Sequence, residues 1–144
     1  MKRVWLSLLL SLVLFVPLGC ASIPVSTVAL DWADADESWS IQVVTVDPDG
    51  ADRVTRIWMA VEAGEGVLRT NNSRWWANLT RDPKIRVRHR GADHLFSVKL
   101  VTEKSEKVRI DEVFLEKFGG WERMMFSQER GETHDHYARL LRPH

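Results

Sequence analysis

The feature that most constrains this chain is its punctuation. From residue 39 onward, runs of β-forming residues are short, and each ends in a turn signal. Residues 39–46 (WSIQVVTV) read as a strand and run into Asp47-Pro48-Asp49-Gly50, where proline presets φ and glycine supplies the reversal. Residues 53–61 (RVTRIWMAV) predict a second strand, 62–66 a turn, and 67–70 a third, short strand. Residues 84–90 alternate: Ile85, Val87 and His89 share one face, and Lys84, Arg86, Arg88 and Arg90 the other. That basic face reads as the solvated outside of a barrel strand or as an anion-attracting wall. Gly91-Ala92-Asp93 turns the chain into a strand over 94–103, with Phe96, Val98 and Leu100 facing inward, and 136–141 (HYARLL) closes the set. Six strands result.

Two helices interrupt them. Ser73 is a capping residue for a short helix over 74–81 whose apolar side is Trp75, Trp76 and Leu79. Asp82-Pro83 stops it, because a residue before proline is driven out of the helical region. Ile110, Val113, Phe114 and Phe118 are spaced for one face of a longer helix that ends at Gly119-Gly120. Residues 121–126 read as a further short helical turn. The expected class is mainly β (α+β), a six-stranded small barrel with one short and one longer helix, in a chain of 144 residues that has room for one domain.

The beginning of the chain reads as something other than fold. Lys2 and Arg3 precede an apolar run over 4–16, too short to span a bilayer and suited to a signal-peptide core. The following Pro17-Leu18-Gly19-Cys20 resembles the lipobox of bacterial lipoproteins, although proline stands where leucine is usual. That resemblance implies a signal peptide over 1–19, a lipidated N-terminus at Cys20, and a lipid-anchored tether over 20–38 carrying Asp31, Asp34, Asp36 and Glu37. Cys20 is the single cysteine, so neither an intrachain disulfide nor a four-thiolate zinc site can form. With 20 basic and 20 acidic residues the net charge is zero, and loss of Lys2 and Arg3 leaves about −2. Neither balance is the footprint of a nucleic-acid binder. The expected location is the bacterial envelope; Ala21 and Ser22 lack an inner-membrane-retaining aspartate, which favours the periplasmic face of the outer membrane.

The order of elements over 43–87 resembles the split β-barrel flavoproteins, which include pyridoxamine-phosphate-oxidase-like proteins and deazaflavin-dependent (nitro)reductases. The matching residues are Asp49-Gly50, Arg56, Thr70-Asn71, Ser73-Arg74, Asn78-Leu79 and Asp82-Pro83, with Glu116-Lys117-Phe118-Gly119-Gly120-Trp121 and 138–143 resembling the deazaflavin branch. The resemblance implies that Arg56, Thr70, Asn71, Ser73 and Arg74 hold a phosphate-bearing cofactor, FMN or a deazaflavin coenzyme, in a homodimeric oxidoreductase acting on a small molecule. An arginine fork and a capped helix start are suited to phosphate. No catalytic side chain is required, since such a ring carries the electrons itself. Two departures stand out. The first hairpin is acidic rather than a basic glycine loop, and Trp75 replaces the second basic residue of the Ser-Arg step. A binding pocket without a cofactor, in a lipoprotein that takes a small ligand or another envelope protein, is therefore the alternative. Glu132, His134 and His136 could chelate a metal or be plain surface. Trp121, Met124, Met125 and Phe126 are the candidate dimer contact. Replacing Cys20 with serine is expected to move the protein from the membrane fraction to the soluble one and to change its mobility; an unchanged distribution would exclude the lipid anchor.

Overall fold

The computed structural model describes residues 22–142, so the apolar run over 4–16 and Cys20 lie outside it. Seven strands form one antiparallel sheet: β1 (Ile41–Val46), β2 (Asp52–Ile57), β3 (Ala60–Glu62), β4 (Glu65–Thr70), β5 (Lys84–His89), β6 (Ala92–Leu100) and β7 (His136–Leu141). Their order is β2-β1-β5-β6-β7-β4-β3. Four helices accompany them: α1 (Trp32–Asp36), α2 (Arg74–Arg81), α3 (Lys104–Phe118) and α4 (Gly120–Met125).

The seventh strand corrects the expected six. The single run over 53–61 breaks at Trp58-Met59, and its halves β2 and β3 lie at opposite edges of the sheet. In a flat sheet of seven strands those edges would be about 29 Å apart. The three peptide links from Ile57 to Ala60 span at most about 11 Å. The sheet must therefore curl until its edges nearly meet, which makes it a half-closed barrel. Two other boundaries move for a local reason. Ala63 and Gly64 both have positive φ (54° and 77°), as do Arg90 and Gly91 (47° and 77°). Paired positive φ values make two-residue turns of the type that matches strand twist. Hence β4 begins at Glu65 and β6 at Ala92, each two residues earlier than expected.

The core has two parts. Inside the barrel Ile41, Val43, Leu68, Ile85, Val87, Phe96 and Leu140 pack with Met59 and with Trp75, Trp76 and Leu79 of α2. α2 runs as its pattern predicts, with the Ser73 hydroxyl accepting from the Trp76 amide at 3.3 Å. Outside the barrel Ile110, Phe114 and Phe118 of α3 lie on Ala60, Val67 and Tyr137. Thus β4 and β7 are buried on both faces. Leu100, expected inside, is exposed.

The basic face of β5 is not an open anion wall. Arg88 donates twice to the buried Asp93 carboxylate, at 2.7 and 3.1 Å, while Arg86 bonds both Asp93 and Asp52.

The expected tether is also corrected, from Val25 onward. Val25 bridges to Asp93, and the Ser26 amide donates to the Asp93 carbonyl at 2.8 Å. Asp31 caps α1, Leu30 and Ala35 are buried, and Asp34 pairs with His89 at 2.6 Å and with Arg90. Trp32 packs on Phe96 with ring centroids 5.1 Å apart. Its ring also fills the space beside Gly66, where a Cβ would lie only 2.5 Å from it. A tryptophan among acidic and small residues has no periodicity of its own, and its partner Gly66 only comes beside it in the folded barrel. Trp32→Ala is expected to cost about 2–4 kcal/mol, a little under the cost of truncating a fully buried tryptophan. Urea unfolding measures this, and a change below about 0.5 kcal/mol would restore the tether reading.

Candidate functional site

A cleft of about 300 Å³ opens where the barrel closure meets the helical layer. Trp58 of the closure, Thr70 and Asn71 at the end of β4, Trp75 of α2, and Phe126 and His134 beyond α4 form its walls. Trp58 is held in place by stacking on Phe118, with centroids 4.6 Å apart and planes 14° off parallel.

Beneath the cleft lies a charged cluster. Arg69 follows Leu68, which faces the barrel core, so its side chain turns to the α3 side of the sheet, opposite Tyr137 of β7. There its Nη1 donates to Asp111 Oδ1 and its Nη2 to Glu122 Oε2, both at 2.6 Å, with all three side chains out of solvent. The guanidinium also lies 3.9 Å from the centre of the Phe114 ring. Asp111 accepts three further hydrogen bonds, from Thr133 Oγ1 at 2.7 Å, the Gly131 amide at 2.7 Å and Tyr137 Oη at 3.0 Å. Burial alone would raise the Asp111 carboxyl; bonds from Thr133, Arg69 and Gly131 outweigh it and hold the group below its usual range. His134 lies at the cleft edge of this cluster, Nδ1 at 3.0 Å from Thr133 Oγ1 and its ring 4.5 Å from Phe126. Burial, then the charge of Arg69, pushes its pKa down to about 4. The cleft thus holds a neutral imidazole and a guanidinium already engaged by two carboxylates.

The sequence-derived residues divide. Thr70 and Asn71 line the cleft, Thr70 donating to the Asn71 carbonyl at 2.9 Å and the Asn71 side chain accepting from the Asp135 amide at 3.0 Å. Ser73 caps α2 and lies 3.3 Å from the Thr70 hydroxyl. Arg74 lines a neighbouring hollow of about 400 Å³ with Arg53, Arg81 and Asp47. In that hollow Asp47 engages Arg53 and accepts from Asn78, bonds that hold its carboxyl down to about 2. Arg56 joins neither: it is exposed on edge strand β2 and donates to Ser40 at 3.2 Å. Alternation explains this, since Arg53 and Ile57 face inward and Arg56 therefore faces out. Glu132, His134 and His136 do not converge; His136 stacks on Trp76 at 4.7 Å, and among the described residues no cluster of three His, Cys, Asp or Glu side chains could hold a metal.

Arg69, Asp111, Glu122 and Thr133 were not legible as a site. Asp111 did leave a signal: it shares a helical face with Phe114 and Phe118, a carboxylate on an apolar stripe.

No family model matches the chain, and no curated protein matches it. Among solved structures it is similar to a conserved hypothetical protein of Mycobacterium tuberculosis, with a TM-score of 0.59 and 20% identity over 85% of this chain and 87% of that one. It is also similar to a FAD-binding protein of Mesorhizobium loti (TM-score 0.55, 13% identity, 81% and 91% covered). A third is a Clostridium acetobutylicum protein of the pyridoxinephosphate oxidase family, related to general stress protein 26 (TM-score 0.55, 13% identity, 75% and 78% covered). At such identities the likeness carries the fold alone: the chain shares the curled antiparallel barrel of these structures.

The lowered pKa of His134 has a consequence for stability. Well above pH 6.5 the imidazole is neutral whether the chain is folded or not. As pH falls from 6.5 toward about 4, only the unfolded chain takes up the proton, so stability is lost through that window and levels off below it. The loss is about 2–3 kcal/mol. His134→Gln is expected to flatten the urea midpoint between pH 7 and pH 4.5; equal slopes for variant and parent would contradict the buried neutral histidine.

Proposed function

We propose that the cleft binds the ring of a flavin-type cofactor, FMN or a deazaflavin coenzyme, and that the protein is an oxidoreductase acting on a small molecule. The observation that carries this reading is the cleft itself, a slot walled by Trp58, Trp75, Phe114 and Phe126 with Thr70 and Asn71 at one rim. Such walls fit a planar heteroaromatic ring, which stacks on aromatic faces and takes its hydrogen bonds at the edges. When bound, the cofactor supplies hydride transfer. The chain's own residues supply the rest. Trp58 and Trp75 exclude water, Thr70 and Asn71 fix the ring edge, and Arg74 meets the phosphate. Arg74 suits that role because among the described residues no hydrogen bond or ion pair engages it, whereas Arg53 and Arg69 are taken. Arg56 is a poorer phosphate ligand than its sequence context implied, being already bonded to Ser40.

The reading extends to the envelope. Cys20 as a lipidated N-terminus, with few residues before the docked Val25, would hold the barrel close to the outer membrane rather than on a long leash. Trp121, Met124 and Met125 are each more than half exposed on α4, and a homodimer would cover them. A second reading, a ligand-binding lipoprotein without a cofactor, draws on the acidic neighbourhood of Arg74, where Asp47 and Asp49 share its hollow.

An ultraviolet–visible spectrum of the purified protein and a fluorescence titration with FMN and with the deazaflavin coenzyme decide between them. Binding by the parent is expected. Arg74 is exposed, so Arg74→Ala should weaken it by roughly tenfold, about 1.4 kcal/mol, and Lys104→Ala should leave it unchanged. If neither cofactor binds at tens of micromolar, the cofactor-free reading takes its place.

A further inference from the structure

The hydrogen bonds under the cleft determine which nitrogen of His134 carries its proton. Thr133 Oγ1 has one hydrogen and contacts Asp111 Oδ1 at 2.7 Å. Asp111 is a carboxylate held below its ordinary range, so it has no proton to give, and Thr133 must be the donor in that contact. Tyr137 Oη spends its own hydrogen in the same way on Asp111 Oδ2 at 3.0 Å. The Thr133 oxygen also lies 2.9 Å from Tyr137 Oη, and with both hydroxyl hydrogens turned to Asp111 it has only lone pairs left for Arg69 and His134. Arg69 Nη1 donates to it at 3.3 Å, and His134 Nδ1, 3.0 Å away, can meet it only as N–H. A neutral imidazole protonated at Nδ1 has a bare lone pair at Nε2. Among the described residues no group bonds that Nε2, and the ring lines the cleft.

We infer that His134 is the specificity-determining acceptor of the cleft: its bare Nε2 selects a ring that presents an N–H or O–H at its edge and discriminates against a carboxylate or carbonyl there. The inference rests on the cofactor reading, because the pyrimidine edge of a flavin or deazaflavin ring carries such an N–H. Charge supports it from the other side. The one guanidinium lining the cleft among the described residues, Arg69, is engaged by Asp111 and Glu122, so it is not available to recruit an anion. Arg69 acts most strongly on the ring among nearby charges, and Asp111 and Asp135 oppose it with negative potential. Thr133 is the positioning residue: it sets the tautomer without touching the ligand.

Nitrogen-15 spectra of histidine-labelled full-length protein in detergent test the tautomer directly. His134 is assigned among the five histidines by its loss in His134→Phe. At pH 7 its Nδ1 should resonate as protonated and its Nε2 as unprotonated. Thr133→Ser should keep that pattern, and Thr133→Ala should give a mixture of tautomers. A protonated Nε2 in the parent overturns the inference. FMN and the deazaflavin coenzyme are then added. The expected result is a displaced Nε2 signal and roughly two- to tenfold weaker binding by His134→Phe, the size of one net hydrogen bond. Binding that leaves Nε2 unmoved and is equal in His134→Phe overturns the inference while the cofactor reading stands. Failure of both cofactors to bind the parent overturns the two together.

Discussion

The closure at Trp58-Met59 is the constraint on which the rest of the molecule depends. Two residues join the opposite edges of a seven-stranded sheet, so the sheet can satisfy its own chain connectivity only by curling. Curling gives the sheet an inside, filled by the aliphatic residues of β1, β4, β5 and β7 with Met59 and α2, and an outside on which α3 lies. The joint is held at its backbone. Lys117 at the end of α3 donates to the Met59 carbonyl at 2.8 Å and to Asp36 of α1 at 2.8 Å, so one ammonium ties the closure to both flanking helices. A carbonyl between two strands has no ladder partner, and a charged donor is a strong substitute. Trp58, displayed by the same joint, becomes a cleft wall.

The charged cluster of Arg69, Asp111 and Glu122 plays a different part. Taking three charges out of water is costly, and apolar residues of equal volume would often do as well for stability. What the ions add is direction. Each hydrogen bond is satisfied in only one relative placement of β4, α3, α4 and the loop through Gly131 and Thr133, so the floor of the cleft is set by bond geometry rather than by interchangeable packing. The arrangement is not fully satisfied. Glu122 Oε1 and Arg130 Nη1 are buried, 3.9 Å apart and without hydrogen-bond partners among the described residues. That mismatch falls between α4 and the loop that follows it.

Much of the scaffold was legible because its signals are local. Ser73 followed by Trp75, Trp76 and Leu79, then Asp82-Pro83, specifies a capped helix over 74–81 whatever surrounds it, and the structure has that helix. The alternation of 84–90 specifies a half-buried strand, and Ile85 and Val87 are buried. The break at Trp58-Met59 was not legible, because a run of β-formers carries no mark of where it changes partners. The docking of α1 was missed for a similar reason: its one large apolar residue, Trp32, finds its slot beside a glycine of β4. Of the candidate site, Thr70 and Asn71 reach the cleft, Arg74 reaches its neighbour, and Arg56 points away. A motif names residues near one another in sequence, but the parity of a strand decides which of them share a face.

By itself the sequence determined the turns, the two main helices, the alternating strands, and hence a small mainly β barrel with an aromatic helix on it. Those follow from φ preferences, capping and periodicity, which act within a few residues of one another. Tertiary structure alone decided that the sheet closes on itself, that Arg69 meets Asp111 and Glu122 from 42 and 53 residues away, and that His134 is held neutral at the cleft. Those depend on desolvation and on hydrogen bonds between distant segments. Neither exists until the barrel has curled and α3 has covered its outer face, and no local pattern encodes them.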